Sequence, residues 1–76
     1  MIDYRKIKPE TPVVCSQEGQ FAIVDHLDGI ACVKLKKDEA GQHHYIPFSW
    51  IVSTDDDMVK IDRPGAVAMQ EWSITP

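Results

Sequence analysis

The sequence predicts a mainly β domain: a small β-barrel of about five to six short antiparallel strands that carries a short C-terminal α-helix. Three observations predict it. Apolar and polar residues alternate at period two in short runs, as in residues 30–36, where Ala31, Val33 and Leu35 interleave with Lys34 and Lys36. Clusters of turn-forming residues at 16–19, 28–29, 37–42 and 55–57 separate those runs at close intervals. After Ile61 the alternation stops, and residues 66–72 contain no helix breaker.

Pro9 and Pro12 exclude a helix at the start, so Pro12, Val13, Val14 and Cys15 open the first strand. Residues 16–19 form a turn. Residues 20–27 then place Phe21 and Ile23 on one face and Ala22 and Val24 on the other. Asp28 and Gly29 suit the two central positions of a type I′ hairpin turn, because both need positive φ, which glycine takes freely and aspartate tolerates. Leu27 and Ile30 are then the flanking strand ends. The return strand, residues 30–36, sends Ala31, Val33 and Leu35 inward and Lys34 and Lys36 to water.

Residues 37–42 read as a polar loop in which Gly41 takes the left-handed conformation. Residues 43–46 and 48–52 form a strand pair or one bent strand, with Pro47 marking a bend or an edge because it cannot donate to a ladder. Asp55, Asp56 and Asp57 make a solvated turn, and residues 58–62 are the last strand, with Val59 and Ile61 inward. Asp62 is placed to cap the helix and Pro64 suits its first turn; Ala68, Met69 and Trp72 form the stripe that lies on the barrel. So short a helix is not stable alone and must dock, while Ser73 and the residues after it fray. The chain is thus one domain over residues 1–76, with the barrel at about 12–62 and the helix at about 64–72.

Composition excludes several classes of function. The formal net charge is −4, and the densest basic group, Lys34, Lys36 and Lys37, is followed at once by Asp38 and Glu39. Nucleic-acid binding rests on a positive patch that displaces counterions, so no nucleic-acid partner is expected. No apolar run approaches the ~20 residues that span a bilayer, so no membrane association is expected either. Residues 1–8 are too polar for the core of a signal peptide, and Cys15 and Cys32 sit in apolar strand-like runs as small hydrophobes. Both points predict a cytoplasmic protein with reduced thiols.

The string His43-His44-Tyr45-Ile46-Pro47-Phe48-Ser49-Trp50-Ile51-Val52 resembles the signature of a small bacterial family known as domain of unknown function 2171. Val24-Asp25-His26 ahead of the hairpin turn and Ala68-Met69 followed by Trp72 extend the resemblance over residues 13–72. Family sequences carry glycine where this chain has Glu18 and Ala22. Members are similar to the PRC-barrel, also seen in the photosynthetic reaction-centre H subunit and in a ribosome-maturation factor. The resemblance implies a PRC-barrel-like fold and, by analogy alone, a docking role within a larger assembly.

His26, His43 and His44, with nearby Asp25 and Asp28, are the right ligand types for zinc, yet His43 and His44 are adjacent and point to opposite faces of a strand. No metal site and no cofactor are therefore expected. Ser16, Ser49 and Ser53 lack a nucleophile elbow, Cys15 and Cys32 lie within strands, and the three aspartates at 55–57 lack calcium-loop spacing. The expectation is a non-catalytic interaction or scaffolding module, with a protein partner or a second copy of the chain meeting His43, His44, Tyr45 and Trp50. The alternative is a small-ligand or metal-responsive sensor that uses the histidines. Trp50 is expected to pack on the helix at Trp72.

Overall fold

Pro12, whose ring fixes φ and removes an N–H, opens β1 (Pro12–Val14). The computed structural model describes residues 2–17, 19–29 and 32–75. Within it follow β2 (Gln20–Asp28), β3 (Cys32–Leu35), β4 (Tyr45–Pro47), β5 (Ile51–Ser53), β6 (Val59–Ile61) and α1 (Gly65–Glu71). Single 3-10 turns occupy Tyr4–Lys6, Phe48–Trp50 and Asp55–Asp57. The six strands form one sheet in the order β4-β3-β2-β1-β6-β5. Its strands are antiparallel except where β1 meets β6: those two run parallel, with Val13 opposite Val59. The sheet is therefore mixed and not purely antiparallel, because β6 reaches β1 by a long return and not by a hairpin.

The sheet curls upon itself. β4 and β5 lie at its opposite ends, yet three residues, Phe48–Trp50, connect them. A flat sheet of this size would hold its end strands about 24 Å apart, whereas so short a link spans at most about 15 Å. Among the described residues no ladder joins β4 to β5, so the curl is not a closed barrel.

Bulges help the curl. The β1–β2 register runs from Ala22 to Gln20 and skips Phe21, and the β2–β3 register runs from Val24 to His26 and skips Asp25. A third irregularity in β5 skips Val52, which is 54% exposed. An extra residue on one strand bends it and increases its twist, which lets the nine residues of β2 pair with β1 at one end and β3 at the other. The concave side holds the core: Val13, Val24, Val33, Leu35, Ile46, Val59 and Ile61, joined by Ile51, Trp50, Ala68 and Ile7. Inward alternation at Val33, Leu35, Val59 and Ile61 agrees with the sequence pattern.

Several local expectations are corrected. Asp28 remains in β2 opposite Cys32, and Gly29 alone of the pair has positive φ, so the hairpin loop lies one position later than a type I′ turn at Asp28-Gly29 would put it. The strand ending at Ile30 and the inward placement of Ala31 lie outside the described residues, as does Glu18 of the first turn. Residues 48–50 are a 3-10 turn and not strand: Pro47 cannot donate, and the Ile51 N–H closes onto the Phe48 carbonyl. The α1 N-cap is Pro64, without a side-chain cap; the Asp62 carboxylate accepts instead from Arg63 Nε at 2.7 Å. On the helix Ala68 is buried whereas Met69 is 47% exposed. Gly65 sits where an added Cβ would meet the Phe21 Cβ at 3.4 Å, so glycine lets the first helical turn approach β2.

Residues near both ends of the described chain are tied to the sheet. Ser73 makes an antiparallel bridge to Tyr45, with N–H to carbonyl distances of 2.7 and 3.0 Å, where sequence reading had this segment frayed. Tyr4 stacks on Phe48 at 4.8 Å, the Asp3 N–H donates to Thr54 Oγ1 at 2.8 Å, and Ile7 is 3% exposed. The hydrophobic core therefore reaches ahead of residue 12, to Ile7.

Candidate functional site

Where β3 ends, Lys36 makes a last bond to β2, its N–H donating to the Ile23 carbonyl at 2.8 Å. Beyond it the chain turns away, and the Asp38 carboxylate explains how. Its Oδ1 accepts the N–H groups of Ala40 at 2.9 Å and Gln42 at 3.0 Å, and its Oδ2 accepts from His44 Nε2 at 2.6 Å. Gly41 takes φ +79, as expected for this loop. The departing loop opens a groove of about 440 Å³ between residues 35–38 and residues 20–23, floored by His44 and Trp72.

The floor is aromatic. The His44 ring stacks on Trp72 with centroids 4.0 Å apart and planes within 12°, and Phe21 lies 6.1 Å from Trp72. A carboxylate only accepts, so His44 Nε2 carries the proton that it shares with Asp38. His44 Nδ1 is buried without a hydrogen-bond partner. Neither ring nitrogen is offered to a molecule in the groove. On the rim, Lys36 pairs with Glu10, while Lys37 has no carboxylate partner among the described residues.

The other anticipated residues lie elsewhere. His43 Nδ1 donates to the Leu35 carbonyl at 2.8 Å and borders a separate depression with Asp25, Lys36 and Lys37. His26 pairs with Asp25 at 2.8 Å, half exposed. The three imidazoles thus have separate partners, and among the described residues no three His, Cys, Asp or Glu side chains converge on a metal position. Tyr45 and Trp50 share a shallow groove of about 300 Å³ with Cys32, Pro47 and Glu71. The Trp50 ring carries the Arg63 guanidinium at 4.0 Å, and Trp72 stacks on His44, in place of the expected Trp50–Trp72 contact. Of His43, His44, Tyr45 and Trp50, the structure brings together Tyr45 and Trp50 alone. Neither Cys15 nor Cys32 is in a disulfide.

A family model described as an uncharacterized protein conserved in bacteria, DUF2171, matches residues 7–69. The chain belongs to this family. The match takes in the buried Ile7 and all six strands, and stops at Met69 within α1. Trp72, on the groove floor of this DUF2171 chain, lies just beyond it. Neither the curated proteins nor the solved structures provide a match to the chain. Among the described residues no helix is long and apolar enough to cross a membrane.

Sequence reading of the DUF2171 chain missed this groove because its parts come from separated stretches. Phe21 and Trp72 read as core residues, and Lys37 and Asp38 as a cancelled charge group. The usable signal was the chain break at Lys37 and Asp38 beside a histidine.

The Asp38 carboxyl is held below its ordinary range, first by the Gln42 N–H, then by His44 and the Ala40 N–H. A carboxylate whose folded pKa is depressed adds stability above its unfolded value, about pH 4, and loses it as pH falls through the folded value. Urea midpoints of the native chain and of Asp38→Asn are therefore expected to differ at pH 6 and to converge progressively as pH falls below about 4. A gap independent of pH would exclude the carboxylate as the loop's organiser. Asp3 and Asp62, depressed by Arg5 and Arg63, add to the acid sensitivity of both chains.

Proposed function

We propose that this DUF2171 chain is a non-catalytic protein-interaction module of PRC-barrel-like type, and that its partner docks on the Phe21–His44–Trp72 groove. The observation that carries this reading is the groove floor, where partly buried stacked rings lie beside a charged rim while the imidazole nitrogens are withdrawn from it. Aromatic surface with polar tips supplies contact area at small entropic cost. General acid–base chemistry needs a group within reach of the substrate proton, and His44 offers none. The curled sheet supports the PRC-barrel likeness, and two cysteines outside any disulfide support a reducing cytoplasm.

The test is site-resolved photo-crosslinking in the native host, with a benzophenone amino acid in place of Gln20, an exposed residue on the groove, or of Val67, an exposed position on α1. A discrete protein adduct is expected at position 20 and not at position 67. An adduct of twice the chain's mass identifies the partner as a second copy. Identical patterns at both positions, or no adduct at position 20, would refute the reading.

A further inference from the structure

Four consecutive residues of β2, Gln20 to Ile23, line the groove. Successive side chains of a strand point to opposite faces, so side chains alone cannot account for four neighbours on one surface. The strand's edge, its backbone, faces the groove here. The registers agree: the β3 ladder reaches β2 at Val24, with one further bond from the Lys36 N–H to the Ile23 carbonyl, and Phe21 is skipped by the β1 ladder as well. Phe21 therefore has no ladder partner in either neighbouring strand. Opposite it the chain bends away beyond Lys36, with Asp38 fixed by its own loop, and this holds the slot open.

We propose that this slot accepts an extended peptide segment of a partner protein, added as a short strand against the Gln20–Ala22 edge of β2. The inference rests on the interaction reading above and specifies its mode. Unpaired backbone groups at a sheet edge are the template for strand addition; main-chain bonds give affinity and pockets for alternate side chains give specificity. One side chain of the guest lies over Phe21 and Trp72, which favours an aromatic residue. The neighbouring guest residue reaches Lys37, the rim cation without a carboxylate partner among the described residues, which favours glutamate or aspartate. The carboxylate on this groove, Asp38, is taken up by the Ala40 and Gln42 N–H groups and by His44, and the acidic Asp55–Asp57 turn lies outside it, so the unpartnered cation left for a guest is Lys37. The volume, about 440 Å³, falls within the range of ordinary binding clefts and suits a short stretch of peptide.

The experiment uses the full chain, labelled with nitrogen-15, and a capped peptide of about seven residues that alternates valine and glutamate around a central tryptophan. Titration is expected to shift the amide signals of Phe21, Ala22 and Lys37, and to slow hydrogen exchange at Phe21. N-methylation of the central peptide bond leaves the side chains intact but removes a ladder donor, and is expected to weaken binding at least tenfold. Lys37→Glu is expected to weaken it by a similar factor. Equal affinity of the N-methylated peptide, shifts confined to another face, or no binding at millimolar peptide would overturn strand addition. If a protein adduct at position 20 persists in that case, docking at the groove stands and its strand mode fails. Absence of both removes the two together.

Discussion

Trp50→Ala is expected to cost about 3–5 kcal/mol, the range found when a buried tryptophan or phenylalanine is truncated. Trp50 is 8% exposed and lies in the turn that joins the two ends of the sheet, so its loss opens a cavity at the seam of the curl. It also strips the Arg63 guanidinium of the ring beneath it and leaves that cation tied to Asp62 and Glu71 alone. A domain of this length is worth roughly 4–11 kcal/mol in total, so the variant is expected to be largely unfolded at moderate urea. Urea titration followed by far-ultraviolet circular dichroism measures it, and Trp50→Phe is expected to recover more than half of the loss. A midpoint within about 1 kcal/mol of the native chain would mean that the seam does not depend on Trp50.

Trp72→Ala tests the other aromatic anchor. Trp72 is half-buried, so its truncation is expected to cost about 2 kcal/mol, below the full-burial range. The consequence is local. The seven residues of α1 cannot hold a helix unaided, and Trp72 fastens their C-terminal end through His44 and Phe21. Hydrogen exchange of the α1 amides is expected to approach unprotected rates in the variant while Val24 and Leu35 in the central sheet stay protected. The Ser73 bridge to Tyr45 should be lost with it. If α1 keeps its protection, Ala68 and Gly65 suffice for docking and the His44–Trp72 stack is not its clasp.

Much of the fold was legible because its determinants are local. Alternation at Val33, Leu35, Val59 and Ile61 names the inward face whatever the sheet does later. Pro47 announces an edge, and β4 is one. The hairpin turn was misplaced because a favourable dipeptide competes with pairing: the Asp28–Cys32 pair keeps Asp28 extended and moves the loop along. The parallel β1–β6 pair, the three skipped residues and the curl are long-range outcomes that no local pattern carries. The groove follows the same rule. Its aromatic floor needs residues 21, 44 and 72 together, and its rim needs the Asp38 turn, so neither can be seen in any single stretch.

The pairing of β1 with β6 also sets a timetable. Val13 must find Val59, and closing a loop of that length costs about 3 kcal/mol of chain entropy before the contact returns anything. The β2–β3 hairpin bears no such burden and can form while the chain is still being made. At about 5–20 residues per second, β6 leaves the ribosome roughly 2–10 seconds after β1. For that interval the first strand has β2 on one flank and nothing on the other. Its brevity, three residues from Pro12 to Val14, keeps the waiting edge small. A chain joined first strand to last becomes cooperative only when it is nearly complete, so assembly is governed by the slowest, most distant contact.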